Sequence, residues 1–468
     1  MKHSRLNHRA SGAALVAACL AASFGALAPN AAAQEPSIDI YYGRKPTEYK
    51  VAITGPDRVE SPAYAFRFAK IIPVSTPPID DGIVLTRNGK IVALGKAGEV
   101  AIPQGFELVD MSEHWCVPGL VDLHCHIAAK GFDLNDTVHQ TNPEMRTVDL
   151  VTMDHEDMRN ALAGGVTTVL YIPGSGSNMG GFGTLTKTWG RTPQEALIRF
   201  PGCLKIAQAG NPERRSGDLG MTPLGMNAGL RETLLRGQAY YEEWEAFDRG
   251  EGPKPELRAD LEYLRGLFRH EYPIAVHTQI YQVVLQTIRQ LRNELGLWTV
   301  IVHGTFDAYR LSEFALESGV PICNGPRQYH FDRGSGWGSG SGMEGAFVGT
   351  ANGWYAGGMH GFGDAQRGVG IDGIGINTDS PVVAQHELAL QCAMAVRLGL
   401  PDAVGIRAIT LNQARFVGAG DRIGSLEVGK DADMGIWSGD PIDPRSHVEM
   451  TLVNGNVAYK RDPRKPRF

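Results

Sequence analysis

Apolar and polar positions divide the chain into stretches of different texture. From about Tyr64 to Val117 short apolar runs dominate: Ala65–Ile72, Gly82–Thr86, Lys90–Leu94 and Glu107–Asp110. Their length and content are those of strands. Asn88-Gly89 between two of these runs is a hairpin turn, because both residues tolerate positive φ. The far C-terminus repeats the texture in Met434–Trp437, Val448–Val453 and Asn456–Tyr459, the last two flanking Asn454-Gly455. Two β-rich ends around a different middle predict one small β-sandwich assembled from both chain ends. The middle, 118–418, alternates short apolar runs with amphipathic stretches. Strands are expected at Thr167–Ile172, Leu204–Ala207, Ile274–Val276, Val300–Val302, Pro321–Cys323 and Gly373–Ile376, and helices over 154–163, 230–247, 255–269, 279–295, 307–318, 383–398 and 402–415. Strand-then-helix repetition on this scale predicts an α/β protein with a (β/α)8 TIM-type barrel, whose site lies at the carboxyl ends of its strands.

The first residues follow other rules. Lys2, Arg5 and Arg9 precede an apolar run from about Gly12 to Leu27, and Ala31-Ala32-Ala33 follows. A basic head, an apolar stretch and small residues at a cleavage site read as a secretory signal peptide covering 1–33. The product is expected to be exported, periplasmic or secreted. Val16-Ala17-Ala18-Cys19 resembles a lipobox, but the apolar run continues past Cys19, which favours the cleaved form. The expected organisation is a leader (1–33), the N-terminal part of the sandwich (34–117), a barrel (118–418) and the C-terminal part of the sandwich (419–468).

Charge narrows the partners. Removing the leader takes away three basic and no acidic residues, which moves the formal net charge from −6 to −9. A mildly acidic chain without basic blocks is a poor fit to nucleic acid or to an anionic membrane surface. The expected partner is a small-molecule substrate, with no nucleic acid and no membrane after cleavage; a homo-oligomer is left open. Cys116, Cys125, Cys203, Cys323 and Cys392 are odd in number and widely spaced, which predicts buried thiols instead of a disulfide framework.

The chemistry is concentrated at strand ends. In Pro118-Gly-Leu-Val-Asp-Leu-His-Cys-His126, a Pro-Gly turn opens a short buried strand. Side chains alternate along a strand, so His124 and His126 share one face with Cys125 opposite. Two imidazoles on one face can hold a divalent metal ion between them. Pro273-Ile-Ala-Val-His277 and Thr299-Val-Ile-Val-His303 are two more apolar strands ending in histidine. Ile374-Gly-Ile-Asn-Thr-Asp379 ends a late strand in aspartate, a helix N-cap if taken alone, but beside four histidines a metal-bound carboxylate and general base. Lys205, in Cys203-Leu-Lys-Ile-Ala, is a lysine inside an apolar strand, where an unpaired ammonium is costly. Carboxylated by CO2 it would bridge two ions; otherwise it would reach an outer acid.

These motifs, together with Gly424-Ser-Leu-Glu-Val-Gly-Lys-Asp-Ala-Asp433, Ala163-Gly-Gly-Val-Thr-Thr168 and Pro173-Gly-Ser-Gly-Ser-Asn-Met-Gly-Gly181, resemble the metal-dependent amidohydrolase superfamily. The chain is most similar to its imidazolonepropionase-related and Xaa-Pro dipeptidase-like branch, over about residues 60–460. The resemblance implies His124 and His126 as ligands of the more buried of two divalent ions. His277 and His303 would hold the second, a carboxylated Lys205 the bridge, and Asp379 the first ion and the proton transfers. Zinc suits that donor set best, with manganese and cobalt as alternatives. There are departures: no Glu occurs in Gln208-Ala-Gly210, Thr278-Gln279 stands where relatives carry a second His, and Ser380 replaces a His after Asp379.

The implied reaction is hydrolysis of an amide, peptide or cyclic C–N bond by a metal-activated hydroxide, with Asp379 as general acid and base. Two other readings compete: a mononuclear deaminase on the same barrel, and a non-catalytic binding protein that has lost its metals. A deaminase would need a Glu where Ile280 stands. Arg327, Tyr329 and His330 follow the seventh strand and are candidates for substrate contact, Arg327 as a carboxylate clamp. The glycine-rich stretch 333–363, with Trp337, Phe347, Trp354, Tyr355 and Phe362, reads either as a lid or as a loop packed on itself.

Overall fold

The computed structural model describes residues 52–464 except 130–133, 138, 211, 214–221, 305–307, 327–372 and 398–399. The leader with its lipobox, Arg327, Tyr329, His330 and the glycine-rich stretch therefore lie outside the described residues. After a two-residue strand β1 (Ile53–Thr54), the chain lays down β2 (Tyr64–Ile71), β3 (Ile79–Arg87), β4 (Lys90–Lys96) and β5 (Glu107–Pro118). The barrel strands follow: β6 (Leu120–Cys125), β7 (Val166–Tyr171), β8 (Met179–Lys187), β9 (Leu197–Ala207), β10 (Ile274–His277), β11 (Thr299–Ile301), β12 (Ile322–Asn324) and β13 (Ile374–Ile376). The C-terminal strands are β14 (Met434–Trp437), β15 (Val448–Val453) and β16 (Asn456–Lys460).

Both chain ends meet in one seven-stranded sheet, ordered β16-β15-β14-β5-β2-β3-β4. Asn88 and Gly89 (φ 50° and 78°) close one hairpin, and Asn454 and Gly455 (φ 48° and 70°) close another. Positive φ at both turn positions matches the twist of the flanking strands. Phe66, Phe68, Ile71 and Val84 from the N-terminal part share one apolar core with Met434, Ile436, Met450 and Leu452 from the C-terminal part. The sheet therefore folds over a common interior as the expected sandwich, each fully buried large side chain contributing roughly 1.5–3 kcal/mol.

Strands β6 to β13 lie side by side in chain order as a barrel. One feature departs from a regular (β/α)8 pattern. β8 runs antiparallel to both β7 and β9, and only the single-turn helix Pro193–Ala196 separates β8 from β9. The segment is too short for two strand–helix units, so the chain doubles back. The strands expected from the sequence do not include this one; Gly181 has φ 105° and a Cβ there would stand 2.5 Å from the Met145 carbonyl oxygen. Glycine is what lets this strand pass so close to another backbone.

The expected helices are present with shifted ends: Glu156–Ala163, Pro223–Asp248, Glu262–Phe268, Tyr281–Thr287 continuing as a π-helix over Ile288–Glu294, Ser312–Ser318 and Leu388–Arg397. The stretch 402–415 is two helices, Asp402–Ala408 and Leu411–Phe416, broken at Thr410. No helix among the described residues is long and apolar enough to cross a membrane. All five described cysteines are buried free thiols.

The Gly429-Lys-Asp-Ala-Asp433 motif proves to be a joint between barrel and sandwich. Lys187, the last residue of β8, is fully buried, with its ammonium 2.8 Å from Asp431 Oδ2 and bonded to Asp433. Arg422 Nε and Lys90 Nζ each reach Asp431 at 2.7 Å, and Asp433 Oδ1 accepts the Asn454 N–H at 2.8 Å.

Candidate metal centre

β6 is the direct continuation of β5 across Pro118-Gly119. A Cβ at Gly119 would stand 2.0 Å from Thr167 Oγ1, so the turn needs glycine to seat β6 against β7. Every residue of β6 is buried. Strand alternation does what the sequence predicts: Cys125 joins the apolar core, while His124 and His126 face Asp379. His277 closes β10, His303 follows β11 by two residues, and Asp379 follows β13 by three. Asp379 has φ 51°, a left-handed conformation that a non-glycine residue keeps only where its surroundings over-determine it.

These residues come from strands up to 255 positions apart in chain order — 124 to 379 — and converge at one barrel mouth. His124 Nε2 and His126 Nε2 lie 3.1 and 3.3 Å from Asp379 Oδ1, and His303 Nε2 lies 3.3 Å from Oδ2. Ring centroids are 4.1 Å apart for His124 and His303, and 4.5 Å for His277 and His303. Ligand atoms thus form two groups that overlap at His124, one with His277 and His303, the other with His126 and Asp379, each spanning no more than 4.8 Å.

The donor set fits divalent metal. His126 Nδ1 lies 2.9 Å from the Ile172 carbonyl and His303 Nδ1 lies 2.8 Å from the Gly325 carbonyl. A carbonyl only accepts, so each proton sits on Nδ1 and each Nε2 presents a lone pair to the site. Buried Nε2 atoms of His277 and His303 make no hydrogen bond, a state that costs about 1–3 kcal/mol per group unless a cation supplies the missing partner. Lone pairs here face carboxylate oxygens, an arrangement that calls for positive charge between them. Burial, reinforced by the neighbouring His303 and Lys205, holds His124 and His277 well below the ordinary histidine value, so both are neutral, as ligands must be. For Asp379, burial opposes ionisation, but the electrostatic influence of the neighbouring His303 and His124 rings, with hydrogen bonding to His124 and His126, outweighs it and holds the carboxyl well below its usual range.

Lys205 is fully buried, as expected, and reaches the same centre. Its Nζ donates to Ser175 Oγ at 3.0 Å and to the Pro173 carbonyl at 3.3 Å, and Ser175 Oγ lies 3.1 Å from His277 Nδ1. The Pro173-Gly-Ser turn therefore ties the lysine to a histidine. Ser380, in the place of the relatives' His, contributes its backbone: its carbonyl accepts the His126 N–H at 2.9 Å. Thr278 Oγ1 donates to the His303 carbonyl at 3.0 Å. Sequence reasoning gave no role to Asp122, which the structure places on both sides of the site: its Oδ1 accepts the His124 N–H and its Oδ2 accepts the Thr378 N–H, each at 3.0 Å. Burial pushes the Asp122 carboxyl up to about 6 despite these bonds. Its position two before His124, on the same strand face, is the signal that could have marked it.

Comparison with known proteins agrees with this picture. Residues 400–459 match the family described as the amidohydrolase family. The chain is 24% identical over 414 residues to the amidohydrolase tasK of Hapsidospora irregularis, covering 81% of this chain and 40% of that protein; it thus spans about two fifths of the relative's length. A stretch of 75 residues is 36% identical to the imidazolonepropionase of Caulobacter sp. (strain K31), covering 16% of this chain and 18% of that one. Among solved structures, an amidohydrolase from Thermotoga maritima MSB8 superposes with a TM-score of 0.73 at 28% identity, over 85% of this chain and all of that chain (100%). Fold, strand-end motifs and these likenesses together support the amidohydrolase superfamily as the one this chain resembles.

Proposed function

We propose that the chain is an exported, metal-dependent hydrolase of amide, peptide or cyclic C–N bonds in small molecules. The observation that carries this reading is the meeting of four strand-end histidines and Asp379, with buried imidazole lone pairs turned toward one another and toward a carboxylate. His124, His126 and Asp379 would hold one divalent ion and His277 and His303 a second, with Lys205 as a carbamate between them. Zinc suits these donors. When bound, the ions supply Lewis acidity toward the scissile carbonyl and toward water. Asp379 takes the proton of the attacking water and passes it to the departing nitrogen. Its two oxygens face different histidines, so one can remain anchored while the other carries the proton. The four histidines and Asp379 together argue against a binding protein, and Ile280, where a deaminase needs a carboxylate, argues against deamination.

The test is hydrolysis by the zinc-loaded full chain across dipeptides, N-acyl amino acids, lactams and esters. Turnover of at least one C–N substrate is expected, abolished by chelation and restored by zinc. Turnover that survives complete metal removal, or none on any C–N substrate, contradicts the proposal. Lys205→Ala is expected to lower bound metal from two equivalents toward one, with short carboxylic acids restoring part of the activity. Unchanged metal content would remove the carbamate.

A further inference from the structure

The first and last barrel strands, which carry His124 and lead to Asp379, share no strand ladder among the described residues; Cys125 and Ser380 form a single bridge pair. Side chains close the seam instead. Gln413 stands in it like a peptide unit: its Oε1 accepts the Leu123 N–H at 3.0 Å and its Nε2 donates to the Ile376 carbonyl. Nearer the mouth, fully buried Asp122 takes four hydrogen bonds. One comes from the His124 N–H, two from Thr378 (N–H at 3.0 Å, Oγ1 at 2.7 Å) and one from Gln385 Nε2 at 2.7 Å. A buried carboxylate so satisfied is rigid. It grips the backbone of a histidine on one side and, on the other, the residue before an aspartate held at positive φ.

We infer that Asp122, clasped by Thr378 and Gln385, is a positioning residue that fixes the gap between the His124/His126 strand and Asp379 and so sets the affinity of the site for metal. The inference rests on the metal-binding reading above. Outer groups that orient ligands typically account for about 10–100-fold in metal affinity. Thr378→Val keeps the shape and removes the hydroxyl, Gln385→Met removes one donor from outside the ligand-bearing segments, and Thr378→Ser restores the hydroxyl.

The experiment is competition for Zn2+ between each full-length variant and a chelator, paired with crystal structures of the metal-free forms. Thr378→Val and Gln385→Met are expected to bind Zn2+ about 10–100-fold more weakly, with the His124 Nε2 to Asp379 Oδ1 separation opened beyond 3.1 Å, and Thr378→Ser to match the unmodified chain. Zn2+ affinity and site distances unchanged in both variants, whatever happens to melting temperature, would overturn the positioning role. Should the unmodified chain take up no Zn2+ while the gap still opens in both variants, the clasp stands as the device that spaces these side chains and the metal reading falls.

Discussion

Asp379→Asn is expected to retain bound metal and to lose turnover by a factor on the order of 10²–10⁴, the usual contribution of a positioned acid–base group. Asparagine keeps the size of the side chain and one oxygen that can face His124 and His126, 3.1 and 3.3 Å away in the native site. Its amide cannot accept a proton at neutral pH. Those two histidines, with His277 and His303, remain to hold metal, so metal content and kcat should part company. The loss should fall on kcat with KM little changed, because the proton transfers belong to the transition state. Native rates in a fully metal-loaded variant would remove Asp379 from the proton path.

Lys187→Met is expected to destabilise the fold by about 3–5 kcal/mol, the range for breaking a buried ion pair by removing one partner. Lys187 is the buried cation facing both Asp431 and Asp433. In the native chain burial disfavours the Asp431 charge, but Lys187 and Arg422 more than compensate and hold its carboxyl well below the usual range. Asp433 is pushed upward by burial first and then by Asp431, with Lys187 opposing. Without the lysine, Asp431 keeps Arg422 and Lys90, while Asp433 is left with the Asn454 N–H as its partner. Adding Asp433→Asn to Lys187→Met should therefore recover part of the loss, a non-additivity that urea unfolding of both single variants and the double variant measures. Strictly additive effects would mean that the two groups are not coupled as drawn.

Local chemistry made much of this molecule legible in the sequence. Asn88-Gly89 and Asn454-Gly455 are turns because two residues suffice to dictate positive φ. His124 and His126 share a face because alternation is a property of a single strand. The convergence of His277, His303 and Asp379 with them followed from placing each at the end of its own barrel strand. β8 was illegible because Gly180, Gly181 and Gly183 carry the composition of a loop, and its strand character comes from the partners β7 and β9. The clasp at Asp122 and the joint at Lys187 depend on pairs 256 and 244 residues apart. A polar residue in an apolar strand announces that it needs a partner, and the sequence does not say which one.

The ligand arrangement can be tested without any substrate. Crystals of the full chain grown with zinc and measured at the zinc absorption edge are expected to show anomalous density at the barrel mouth, one peak against His124, His126 and Asp379 and a second against His277 and His303. Zinc-containing crystals with no anomalous density among these five side chains would contradict the metal centre and the hydrolase built on it.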